Sequence, residues 1–140
     1  MANIYKFRQW SLTLLRVVLG FVFAYHGYLK LFAPGGFPGT VNFFASIAIP
    51  LPAYAALLVA VVEFFGGLLL IIGFLAKLSS ALLLIDMLVA LFKVHLKNGF
   101  LIGQGGYELV IVLIAGLAAV LGSGAGKLSL GKLFKKKFLN

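Results

Sequence analysis

The sequence predicts an all-α membrane protein, a four-transmembrane-helix bundle with a short interfacial or re-entrant segment between its first two helices. Four long apolar runs carry this prediction, each near the ~20 residues that a helix needs to cross ~30 Å of hydrocarbon. Only three residues of the 140 are acidic, Glu63, Asp86 and Glu108, and each lies inside a different run. The twelve Lys and Arg fall mostly at the edges of the same runs.

Bulk composition agrees. Hydrophobic residues make up 63% of the chain and charged residues 11%, against about 25% charged in ordinary soluble domains. Mean hydropathy is +1.14. A small soluble globule leaves too much surface exposed to hide this much apolar side chain. The length fits one domain, 1–140. The net charge of +9 reads as flanking cations that face the anionic headgroups of a lipid bilayer. No nucleic-acid motif is present, and no nucleic-acid partner is expected. Without cysteine the chain has no disulfide, CxxC redox pair, thiolate metal site or iron–sulfur ligand of its own.

The first span covers about 11–32. Lys6 and Arg8 precede it as they would a secretory signal, but it is too long, Arg16 interrupts it, and no small-residue cleavage site follows, so it is retained. The linker 33–52 holds all four prolines, Pro34, Pro38, Pro50 and Pro52. Its middle, 40–49, is apolar with Asn42 and Ser46 four apart, which suits a short helix lying at the interface or dipping back into the bundle. A plain loop is the competing reading. The second and third spans, 53–76 and 78–96, and the fourth, 106–122, are joined by short connections and should pack as antiparallel neighbours. A basic tail, 127–140, follows.

Lys and Arg set the orientation. Lys6, Arg8, Lys77, Lys127, Lys132, Lys135, Lys136 and Lys137 share one side, against Lys30, Lys93 and Lys97 on the other. Both termini are therefore expected on the cytoplasmic side of the membrane.

Helical spacing sorts the polar residues onto faces. Arg16, Gly20, Phe23, Gly27 and Lys30 form one stripe, with His26 beside it. Ala56, Glu63 and Gly67 form another. Ser79, Asp86, Ala90, Lys93 and Lys97 align, while His95 points away from them. Glu108, Val112, Ala115, Ala119 and Gly122 align on the last span, and the small residues beside the acids should let helices approach closely. A carboxylate in hydrocarbon costs a few kcal/mol unless it is paired or wetted, so the acids are expected to face the bundle interior.

Depth then outlines a pocket open to the outer side. His26, Lys30, Glu63 and Glu108 line it and can relay protons, and the linker covers it. Arg16 forms the inner floor, and a buried pair between Arg16 and Glu63 is expected, with Asp86 as the next partner. His95 is a secondary candidate. The bland readings stand beside these: a closed structural network of charges, and Lys30, Lys93 and Lys97 snorkelling to headgroups. Haem held by His26 and His95 is disfavoured, because a histidine at a helix end is more often interfacial. No HExxH or ExxH pair suggests a metal. No intrinsic cofactor is expected, and no catalytic residue is assignable.

Several short motifs, in order, resemble the DoxX family of small four-span membrane proteins. They are Leu15-Arg16, His26-Gly27 with Lys30-Leu31-Phe32, Gly35-Gly36-Phe37, Glu63 with Gly66-Gly67 and Gly73, Val94-His95, Asn98-Gly99-Phe100, Gly106-Tyr107-Glu108 and Gly126-Lys127-Leu128-Ser129-Leu130. Asp86 stands outside them. The resemblance implies a four-helix bundle in a bacterial or archaeal cytoplasmic membrane. Some members are similar to the membrane subunit of a thiosulfate:quinone oxidoreductase or sit in complexes with soluble redox and sulfur-transfer partners. The expected function is a membrane subunit of a quinone-linked oxidoreductase system, with quinone as ligand. The alternatives are a small proton-coupled transporter or carrier, or a structural membrane anchor for soluble redox partners; a homo-oligomer is compatible with each.

Overall fold

The computed structural model describes residues 2–133; Lys135, Lys136 and Lys137 of the basic tail lie outside the described residues. The regular structure among the described residues is entirely helical. Helix α1 (Ala2–Phe32) begins well before the predicted span, because Asn3, Lys6, Arg8 and Gln9 are tolerated in a helix even where the apolar pattern has not started. Pro34 ends it, since the residue before a proline is pushed out of the helical region. Helix α2 (Gly36–Ser46) settles the linker as helix and starts earlier than the expected 40–49. Pro38 is tolerated there because the first N–H groups of a helix lack an intrahelical acceptor anyway.

Helix α3 (Pro52–Ile72) opens with proline at its first position and closes at Gly73 (φ 70°), in the left-handed conformation that glycine adopts freely. Three residues later α4 (Ala76–Ala90) starts back antiparallel. It continues through a π turn (Leu91–His95) and a 3-10 turn (Leu96–Asn98). A loop with a second 3-10 turn, Ile102–Gln104, leads to α5 (Glu108–Ser123), and a short α6 (Leu130–Leu133) follows.

Three stretches, Asn3–Phe32, Pro52–Ile72 and Ala76–Asn98, are long and apolar enough to cross a membrane, with mean hydropathies of 1.5, 2.6 and 1.8. Helix α5 is apolar but has 16 residues, a rise of about 24 Å at 1.5 Å per residue.

Helices α1 and α3 pack most extensively, and the glycines show how closely. A Cβ on Gly20 would sit 2.6 Å from the Gly67 carbonyl oxygen, and one on Gly27 would sit 2.3 Å from the Phe64 nitrogen. Small residues that let backbones touch are the usual means of holding helices together where lipid removes the hydrophobic drive. The core between the helices is filled by Leu19, Phe23, Leu70, Leu83, Leu117 and Val120.

Helix α5 corrects one expectation. Its buried residues are Val110, Leu113, Leu117 and Val120, whereas Val112, Ala115, Ala119 and Gly122 are exposed. The stripe that carries Glu108 therefore faces away from the bundle. Large side chains fill the core better than alanine and glycine, and Glu108, at the first residue of the helix, is satisfied locally, so nothing turns its stripe inward.

Candidate functional site

The register of α1 against α3 decides which charges meet. Gly27 lies on Phe64 and Gly20 on Ile71. Antiparallel packing at that register sets Lys30, in the last turn of α1, opposite Glu63. It sets Arg16 opposite the end of α3, about 14 Å along the helix from Glu63 at 1.5 Å per residue.

Lys30 Nζ accordingly makes a salt bridge and hydrogen bond with Glu63 Oε2. The Glu63 side chain is 6% exposed and that of Lys30 22%. One expectation is corrected here: Glu63 is held by Lys30 rather than by Arg16; Lys30 turns inward as a pocket residue, and the snorkelling alternative is set aside for it. A buried carboxylate at mid-helix is better served by the cation at its own depth than by one more than two turns away. Asp86 brings a second carboxyl against Glu63 and within the field of Lys30. Its Oδ2 is buried without a hydrogen-bond partner among the described residues. Two carboxylates and one ammonium sum to one negative charge, and uptake of one proton makes the set neutral.

Arg16 does other work. Its Nη1 donates to the Leu70 carbonyl and, at 3.0 Å, to that of Ile71, and its Nη2 donates to Leu128 O at 2.5 Å. These are last-turn carbonyls and the negative pole at the C-terminus of α3, together with the chain that follows α5. The Gly73 motif explains itself at this point: a Cβ there would meet Arg16 Nη1 at 2.5 Å. Ser129 Oγ donates to Gly73 O at 2.7 Å, and the Lys127 amide donates to Thr13 Oγ1 at 3.0 Å. Arg16 is thus a clasp between three chain segments, neither one half of a charge pair nor part of the cavity lining.

The cavity has a volume of about 960 Å³ and is mostly apolar; its charged and imidazole groups are His26, Lys30, Glu63, Asp86, Lys93 and His95. Helix α2 supplies one wall, through Thr40, Phe43 and Phe44. Of the expected pocket residues, His26, Lys30 and Glu63 come together, and Glu108 does not. Glu108 Oε2 accepts the Ile102 amide at 3.0 Å, bracing the loop before α5.

Sequence reasoning placed Asp86 with the structural charges, sent Lys93 to the headgroups and turned His95 away. The π turn accounts for the last. It inserts one extra residue, rotating the end of α4 by about 100° relative to a regular helix, so His95 joins Lys93 on the cavity wall. His95 Nδ1 lies 2.7 Å from Gly105 O. A carbonyl only accepts, so Nδ1 carries the proton, and Nε2 of the neutral ring is an acceptor. Among the described residues no three His, Asp or Glu are grouped to share a metal ion.

Comparison with known proteins places these residues in a lineage. The DoxX family model matches residues 11–96. A Bacillus subtilis protein named "Putative oxidoreductase CatD" is 33% identical over 110 residues, 79% of this chain and 78% of that protein. A membrane protein of Mycobacterium tuberculosis is 31% identical over 138 residues, 91% of this chain and 83% of its own. An inner membrane protein of Escherichia coli is 32% identical over 66 residues, 47% of this chain and 45% of its own. No solved structure matches.

Proposed function

The chain belongs to the DoxX family of membrane proteins, and on that footing we propose that it is the membrane subunit of a quinone-linked oxidoreductase system. In this reading α1, α3, α4 and α5 form a four-span bundle, with α2 against its side. The observation that carries it is the cavity itself: apolar over most of its wall, with Lys30, Glu63, Asp86 and two imidazoles among its lining residues. Quinone reduction takes up two electrons and two protons. In this reading the electrons come from a soluble redox partner. The residues here bind and exchange protons: Lys30 donates to one quinone oxygen, and Glu63, Asp86 and His26 pass protons to and from it. The name of the Bacillus subtilis relative is consistent with this chemistry.

Binding of a short-chain quinone by the purified protein tests the reading. Lys30→Met, compared at matched stability, should weaken binding about tenfold, the loss of one charge-assisted hydrogen bond to a quinone oxygen, whereas Glu63→Gln, Asp86→Asn and His26→Ala should slow proton uptake when the bound quinone is reduced chemically. Glu108→Gln should bind as wild type. If wild type binds no quinone, the reading goes, and solute flux in liposomes becomes the next measurement.

Orientation belongs to the same proposal, with both termini cytoplasmic and the 99–107 loop outside. Asn3 and Lys97 are exposed, and the absence of native cysteine makes single replacements informative. In intact cells Lys97→Cys should react with a membrane-impermeant thiol reagent and Asn3→Cys only after permeabilisation. The reverse pattern would place the cavity's polar groups toward the cytoplasm.

A further inference from the structure

We infer that the ligand lies with its polar head at Lys30, Glu63 and Asp86 and its apolar chain running sideways, between α2 and α4, into the bilayer. This deepens the quinone reading and rests on it. Helix α2 packs on α1 and α3, and its contact with α4 is at most slight. The gap between them is flanked by Phe43, Leu58, Ile85 and Val89, all lining the cavity and all large apolar side chains left 44%, 65%, 60% and 47% exposed. Asp86 and Ile85 sit near the middle of the Ala76–Asn98 stretch, as Glu63 does in Pro52–Ile72. The gap therefore opens at the depth of acyl chains. A free ion or sugar cannot arrive by that route, whereas a lipid-soluble molecule can.

Volume points the same way. About 960 Å³ is at the upper end for sites that enclose a whole drug-sized ligand, and one quinone ring fills a fraction of it. On its inner side the cavity is bounded by Phe23, Met87, Val110 and Leu113, all buried and packed in one core with Leu70, Leu83 and Leu117, which leaves the sideways course for a chain. Helix α2 is then a side wall along which the chain lies, and not a lid over an aqueous mouth.

Affinity is a poor readout, because a chain moving from acyl chains into an apolar groove gains little. Position is the better one. Two photoreactive analogues of one isoprenoid quinone, one carrying the reactive group on the ring and one on the chain, would be cross-linked to the full-length protein in phospholipid vesicles and the adducts mapped by mass spectrometry. The ring probe should mark 26–30 and 86–95, the chain probe 39–44 and 82–89, and excess unlabelled short-chain quinone should displace both. If the ring probe marks the cavity but the chain probe marks 99–107, the sideways course is wrong and the quinone reading survives. If chain labelling in the gap resists displacement, the gap takes lipid only and the inference falls. If neither probe marks the cavity, the quinone reading itself falls.

Discussion

Arg16→Gln should lower the stability of the detergent-solubilised protein by about 3–5 kcal/mol, because several buried carbonyls lose hydrogen bonds to a charged donor worth roughly 1.5–3 kcal/mol each. Arg16 is 1% exposed, and its guanidinium serves carbonyls of Leu70, Ile71 and Leu128. Glutamine is shorter, carries no charge against the negative pole of α3, and cannot fork to two segments. Arg16→Lys should recover only part of the loss, because an ammonium is a point donor on a flexible stem where a planar fork is needed. Two measurements check this. Denaturant titration gives the size of the effect, and hydrogen exchange locates it. The amides of Lys127 and Gly131, bonded to Thr13 and to Gly73 respectively, should lose protection first. A variant that is destabilised while those amides stay protected would show that Arg16 does not clasp the chain after α5.

The clasp also shows what could be read in the sequence and what could not. That the acids lie in apolar helices follows from composition and spacing, and a helix in the Pro-rich linker is one of the two readings they allow. The inward stripe of Ala56, Glu63 and Gly67 follows too, and it is buried. Register does not follow from them. Arg16 and Glu63 share a face of their respective helices, but which charges are level depends on where two glycine-rich surfaces interlock, a property of the pair and of neither helix alone. The facing of α5 failed for a related reason. A stripe of small residues beside an acid is equally good for burial or exposure in a membrane, where the surroundings are apolar on both sides, so periodicity names the stripe but not its direction. The π turn at Leu91–His95 leaves no readable mark either, and it is what brings His95 onto the cavity wall; Lys93 shares a stripe with Asp86 by regular spacing alone. Asp86 was seen as a polar residue on an interior face; what its sequence context lacked was any sign that Glu63 would be its neighbour.

Lys30→Met should destabilise the protein more than Glu63→Gln does. Removing the lysine leaves two carboxyls, Glu63 and Asp86, against each other in apolar surroundings with no cation at their depth. Removing the Glu63 charge leaves Lys30 beside Asp86, which the structure already places within its field and whose free Oδ2 can accept from it. Expected losses are about 3–5 kcal/mol for Lys30→Met and about 1–3 kcal/mol for Glu63→Gln. The double variant should lose at least about 1 kcal/mol less than the two singles added together, whereas Arg16→Gln combined with Glu63→Gln should add within about 0.5 kcal/mol, since those residues share no partner. Adding Asp86→Asn to the Lys30→Met/Glu63→Gln background removes the last ionisable group of the set, and stability should rise or stay level. The cycles separate a triad from a simple pair. If Asp86→Asn costs the same in wild type and in the double variant, Asp86 is not coupled to the pair, and the proton-exchanging set shrinks to Lys30 and Glu63. If Lys30→Met and Glu63→Gln are themselves additive, the salt bridge contributes nothing to stability, and the polar set has no claim to being a built site.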